Sequence, residues 1–159
     1  MIVKNGGIIL ASRATSGSVS SNSGLKNISG ESIATNYSTN LQMTRPNNFE
    51  TSSPNTGVVM NLGTGGTAPS VDDYWLDEPL TSDDYYCSNP SVQGSPGGIS
   101  NGRLIYTFSF HAKTNFTIQE ICLSNLNGNG KVMFARTVIP ARQVAAGEDF
   151  TFSYVVKFN

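Results

Sequence analysis

In DFTFSYVVKF, residues 149–158, every second side chain is large and apolar. Phe150, Phe152, Tyr154, Val156 and Phe158 share one face, while Thr151, Ser153 and Lys157 point the other way. A period of two is the signature of a half-buried strand, and aromatic and β-branched residues suit its pleated surface. RLIYTFSF, residues 103–110, repeats the pattern with Leu104, Tyr106, Phe108 and Phe110. A chain with such runs and no capped helical period longer than about ten residues is bound to an all-β fold.

The run NFTIQEICLSN, residues 115–125, alternates with a slip. Phe116 and Ile118 lie on one face, and Ile121 and Leu123 resume the pattern one residue out of phase. One inserted residue is the mark of a β-bulge. Asn127 to Gly130, NGNG, tolerates positive φ and is expected to join this strand to KVMFARTVI as a hairpin. After Pro140, ARQVAAGED returns the chain to the last strand. Short strands punctuated by Gly, Pro and Asn predict an antiparallel β-sandwich, with a jelly roll as the candidate subtype and little helix.

The N-terminal third is harder to read. Between Ser12 and Thr56, 24 of 45 residues are Ser, Thr or Asn, a composition typical of disorder. ISGESIATNYSTNLQMT nevertheless alternates Ile33, Thr35, Tyr37, Thr39, Leu41 and Met43 with small polar residues, as a strand would. SRATSGSVSSNSG before it has no period and is expected to be a loop. MIVKNGGIILASRA imitates a signal peptide, but GGIILA is shorter than the usual apolar region and reads as a first strand. The expected organisation is an N-terminal region of strands and polar arm over residues 1–57 and a β-sandwich module over 58–159, together one domain. A chain of 159 residues suffices for one core.

Charge excludes several function classes. Ten Lys and Arg stand against eleven Asp and Glu, mixed along the chain, so the net charge is −1 and there is no basic footprint for nucleic acid or an anionic membrane. Only 13% of residues are charged, about half the usual share. A neutral, polar surface suits a protein covered by neighbouring subunits or folded into hydrogen-bonded turns. No apolar run approaches the roughly 18 residues of a membrane helix. Cys87 and Cys122 fit no disulfide framework or metal motif and read as buried free thiols.

One loop invites a chemical reading. After the apolar run GVVMNL, NLGTGGTAPSVDDYWL places Gly63, Gly65 and Ala68 in the G-x-G-x-x-A dinucleotide pattern, with Asp83 and Asp84 near the distance of a ribose-binding carboxylate. That chemistry needs a helix directly after the glycines. Pro79 would close such a helix within about ten residues, and Asp72, Asp73, Asp77 and Glu78 would crowd the phosphates. The pattern therefore reads as turn glycines, and no cofactor is expected.

The same four carboxylates are the only metal candidates, weak ones, because their spacing fits no calcium loop. Turn formation is the plainer reading, and a contact with a partner's Lys or Arg is the other. Asp77 and Glu78 make a poor glycosidase pair, since sequence neighbours diverge. Tyr74, Trp75, Tyr85 and Tyr86 are candidates for an interface, a loop surface or sugar stacking; the alternative is that Trp75 and Leu76 plug the end of the sandwich. His111 is the single histidine, which leaves few routes to nucleophilic catalysis, and no catalytic residue is assigned. Glycosylation triplets at Asn27, Asn36 and Asn115 are expected by chance in this composition.

Four segments in order carry a resemblance: NLGTGGTAPSVDDYWLDEPL, IYTFSFHAKTNFTIQEICL, VMFARTVIPA and VAAGEDFTFSYVVKF. Across about residues 58–158 the chain resembles a structural module of tailed-bacteriophage virions. The matching positions are Gly63 to Pro69, Asp73 to Leu80, Glu120 to Leu123, Ala135 with Arg136, and Gly147 with Glu148. Cys122 stands where the family usually has Gly, and Ala146 where Pro is common.

The resemblance implies a non-enzymatic virion component, assembled in the host bacterial cytoplasm in symmetric copies. Its partners would be other virion proteins. The neck or tail is the favoured place, a capsid decoration or head-fibre base the alternative, and a carbohydrate-binding module the reading of a different class. Within this module Arg136 is expected to pair with Glu120 across adjacent strands, a contact worth at most about 1 kcal/mol if exposed and more if shielded.

Overall fold

The computed structural model describes residues 1–6, 18–19, 25–32, 35–36, 58–93, 103–125 and 132–157. Among these residues eight strands run in chain order: β1 (Ser18–Val19), β2 (Thr35–Asn36), β3 (Val58–Gly63), β4 (Tyr85–Gln93), β5 (Arg103–Ala112), β6 (Phe116–Asn125), β7 (Met133–Val144) and β8 (Asp149–Lys157). β1 and β2 form a small antiparallel pair. The other six make two antiparallel sheets, β3-β6-β7 and β4-β5-β8, packed face to face as a β-sandwich.

The period-two runs supply the interface between the sheets. Tyr106, Phe108 and Phe110 of β5 and Phe150 and Val156 of β8 meet Met60 and Leu62 of β3, Ile118, Ile121 and Leu123 of β6, and Phe134 of β7. Phe110 and Phe150 are register partners, and their rings stack with centroids 5.2 Å apart. Tyr85 meets Phe110 edge-on at 5.6 Å. Each such side chain contributes about 1.5–3 kcal/mol by leaving water.

The slip in β6 is a real irregularity of the ladder. Ile118 pairs with Arg142 but Glu120 pairs with Val138, so Gln119 opposes the three residues around Pro140. Proline has no N–H to give a ladder, and an irregular stretch on an outer strand accommodates it. The slip keeps Ile118, Ile121 and Leu123 in the core and turns Glu120, Cys122 and Ser124 to the opposite face of the sheet.

That opposite face is covered too, as the wholly buried pattern of β3 shows. The segment after β3 folds back along it: Gly63 bridges Pro79, Thr64 N–H donates to Glu78 O at 2.9 Å, and Leu80 N–H donates to Leu62 O at 2.9 Å. Trp75 and Leu76 pack there with Val3, Cys122 and Met133, apart from the main core. They cover the outer face of the β3-β6-β7 sheet, where the sequence suggested a plug at the sandwich end.

Residues 1–6, at the start of the segment read as a first strand, lie beside β7. Ile2 makes an isolated bridge with Ala135 beside β7, and residues 4–6 form one helical turn. The rest of GGIILA, most of the 33–43 alternation, the NGNG turn and Phe158 lie outside the described residues. Among the described residues, no helix is long and apolar enough to cross a membrane.

Candidate functional site

The most unusual chemistry of the molecule lies under the 63–80 loop. Arg136, in β7, is among the largest fully buried side chains, and its guanidinium is 0% exposed. Its Nε donates to Glu120 Oε2 at 2.9 Å, one terminal nitrogen donates to Asp73 at 2.7 Å, and the other to Asp77 at 2.7 Å and to Thr67 O at 3.2 Å. Burial by itself would lower the pKa of this group; the bonds to Asp73 and Glu120 and the nearby Asp77 charge outweigh it and hold the pKa above its ordinary value. Arg136 therefore carries its charge at neutral pH.

Glu120, also wholly buried, is the second hub. Its carboxylate accepts the backbone N–H groups of Gly65 at 3.2 Å, Asp77 at 3.2 Å and Glu78 at 2.9 Å in addition to Arg136. One carboxylate and one guanidinium thus tie five residues of the loop, Gly65, Thr67, Asp73, Asp77 and Glu78, to the sheet. A buried charge is tolerable only when paired and hydrogen-bonded on all sides, and these two are.

This network explains the glycines of the loop. A Cβ on Gly63 would sit 2.5 Å from Glu120 Oε1, and one on Gly65 would sit 2.7 Å from both Glu120 Oε1 and Asp77 Cβ. The backbone must approach the carboxylate closely, and only glycine permits it. The match to a phosphate loop arises because an anion is indeed cradled by backbone N–H groups; the anion is the protein's own Glu120.

The four metal candidates are otherwise engaged. Asp73 and Asp77 face Arg136, Glu78 accepts the Thr64 hydroxyl at 2.6 Å, and Asp72 lies 4.0 Å from Lys4 at the surface. Among the described residues no three His, Cys, Asp or Glu are grouped as a metal set. Asp73 and Asp84 each close a tight turn, in which Asp73 accepts Ser70 N–H at 2.8 Å and Asp84 accepts Thr81 N–H at 2.8 Å. The S/T-x-x-D spacing at 70–73 and 81–84 is a signal that sequence reading passed over.

The aromatic candidates separate. Tyr85 is not a surface residue: alternation along β4 sends it inward with Cys87, it is 2% exposed, and its hydroxyl accepts Leu62 N–H at 3.4 Å. Tyr86 points the other way and is half-buried. Trp75 is half-buried against the outer face, and Tyr74, 40% exposed, stands beside Lys26 at 5.6 Å. Tyr74, Trp75, Ile28, Asp72, Asp77 and Pro79 edge a shallow groove of about 530 Å³. His111 is at the exposed end of β5, 2.7 Å from Asp149, its register partner.

The thiols also have a place. Cys87 lies between the sheets and Cys122 under the loop, both buried and free. Burial pushes the Cys87 thiol up to about 12 and the Cys122 thiol well above its ordinary value.

No protein-family model, curated protein or solved structure matches the chain.

Proposed function

We propose that the chain is a non-enzymatic structural protein of a tailed-bacteriophage virion, built into the neck or tail and acting through protein–protein contacts. The observation that carries this reading is where the resemblance motifs fall. Gly63, Gly65, Asp73, Asp77, Glu78, Glu120 and Arg136 come from three of the four matching segments, and they make one network around the buried Glu120 and Arg136. Its groups hold the loop to the sheet of the same chain, and its guanidinium is closed off from solvent. Motifs that build a rigid scaffold are what a repeated assembly subunit requires, and the low surface charge agrees with that role.

The carbohydrate-binding reading is weaker. Of its four aromatics, Tyr85 belongs to the core and Trp75 packs on Val3, Cys122 and Met133, so Tyr74 and Tyr86 remain. Cryo-electron microscopy of the particle tests the proposal. The expected result is the sandwich in symmetric copies at the neck or tail; copies on the capsid surface would move it to the decoration alternative, and its absence from purified particles would overturn it.

A further inference from the structure

The two sheets have four outer strands, and three of their edges are guarded. β3 is overlaid by residues 78–80, through the Gly63–Pro79 bridge and the Leu80 bond. β7 is met by the N-terminal residues, with Arg136 N–H donating to Met1 O at 3.0 Å and Val3 N–H to Phe134 O at 3.2 Å. β4 breaks register between Ser88 and Ser91, where Pro90 withholds an N–H. These are the devices by which proteins blunt strand edges.

β8 has none of them among the described residues. It pairs with β5 over nine consecutive positions, from Arg103–Lys157 to His111–Asp149, without a bulge or proline. Its only charges stand at its two ends. Phe152 and Tyr154 are half-buried at this margin, and Val155 is 42% exposed on the outward face. A long, straight, weakly charged edge is a template for another strand.

We propose that β8 pairs antiparallel with β8 of a second copy, joining two three-stranded sheets into one of six strands across a twofold axis at Ser153. The sequence of the strand selects both partner and register. Centred on Ser153, the pairing sets Asp149 opposite Lys157 at both ends and uses all nine residues. It also sets Phe150 opposite Val156 and Phe152 opposite Tyr154 on the core side, and Thr151 opposite Val155 outside. A shift by one residue either way in the centre, which moves every partner by two, leaves one charge facing Thr or Val and the other unpaired. Asp149 keeps 83% of its side chain in solvent beside His111, so it remains accessible to a partner. The pairing is isologous, as a twofold interface must be. It does not rest on the virion reading, and it stands or falls in solution with the isolated protein.

Cysteine cross-linking tests the register directly. At the axis the two Ser153 Cα atoms would lie about 4.5–5.5 Å apart, within disulfide reach, whereas two Thr151 residues would be separated by about 13 Å. The native thiols are buried and free and do not compete. The proposal expects the wild-type protein to sediment at twice 17.0 kDa, Ser153→Cys to form a disulfide-linked dimer under mild oxidation, and Thr151→Cys to remain uncross-linked. A wild-type monomer at micromolar concentration, a Ser153→Cys variant that stays uncross-linked while folded, or equal cross-linking of the two variants would overturn it.

Discussion

Arg136 and Glu120 are bonded without being opposite one another. In the β6–β7 ladder Arg136 faces Cys122 and Glu120 faces Val138, so the ion pair runs along the diagonal at 2.9 Å. The offset frees the far side of the guanidinium to reach Asp73 and Asp77, and it leaves the carboxylate oxygens to receive the loop amides. A directly opposed pair would be a local cross-strand contact. The diagonal one fastens a loop to a sheet.

Replacing Arg136 by Ala leaves Glu120 buried without its counter-charge and releases Asp73 and Asp77. Removal of one partner from a buried pair costs about 3–5 kcal/mol. Equilibrium urea unfolding of Arg136→Ala should show a loss of that size, well beyond the exposed-pair limit, and Arg136→Lys should be intermediate because an ammonium lacks the planar fork. A change below about 0.5 kcal/mol would place the pair among ordinary surface contacts.

Two adjacent glycines should behave in opposite ways. A Cβ at Gly66 would find Gln119 at 3.6 Å, an ordinary contact, while one at Gly65 would collide with Asp77 and Glu120 at 2.7 Å. Gly66→Ala is expected to be neutral or stabilising by up to about 1 kcal/mol through the unfolded chain. Gly65→Ala should cost about 1–3 kcal/mol, as overpacking does. Thermal melts of the two variants side by side decide this, and equal effects would contradict the close approach.

The thiols make stability fall in alkali. A group whose folded pKa is raised stabilises the fold fully below its unfolded pKa, and that contribution is lost as pH rises toward the folded value. For Cys87 the window opens near the ordinary thiol value of 9.0 and extends to about 12. Melting temperatures of wild type and Cys87→Ala should converge across this range. Both thiols should also resist a thiol reagent at neutral pH until the protein unfolds.

Asp84 acts at the other end of the scale. The backbone N–H of Thr81 holds its pKa below the ordinary value of 3.8 against the opposing effect of burial, with help from the hydroxyls of Thr81 and Thr114. A depressed carboxyl stabilises above its unfolded pKa and loses that contribution as pH falls through its folded value. Asp84→Asn should therefore cost about 1 kcal/mol at neutral pH, the scale of a lost cap, and the difference should vanish in acid below 3.8.

The parts of this molecule that sequence exposes are the ones governed by local period. The alternation in β5 and β8 identified Tyr106, Phe108, Phe110, Phe150 and Val156 as core, and the slip between Ile118 and Ile121 marked the irregularity at Gln119. Adjacent tyrosines were ambiguous, because parity at Tyr85 and Tyr86 depends on where β4 begins. The partners of Arg136 were mostly hidden: Asp73 and Asp77 lie 63 and 59 positions away, and no periodicity links a strand arginine to loop aspartates. The loop glycines were legible as backbone devices, but the group that they approach, Glu120, lies three strands later in the chain, on the central strand β6 opposite Gly63.

Hydrogen exchange of the wild-type protein tests the loop clamp most directly. The amides of Gly65, Asp77 and Glu78, which donate to Glu120, should be protected to the level of the central strand β6, although they lie in a loop. Exchange of these three amides at the rate of the exposed turn amides would contradict the claim that Glu120 and Arg136 fasten this loop to the sandwich.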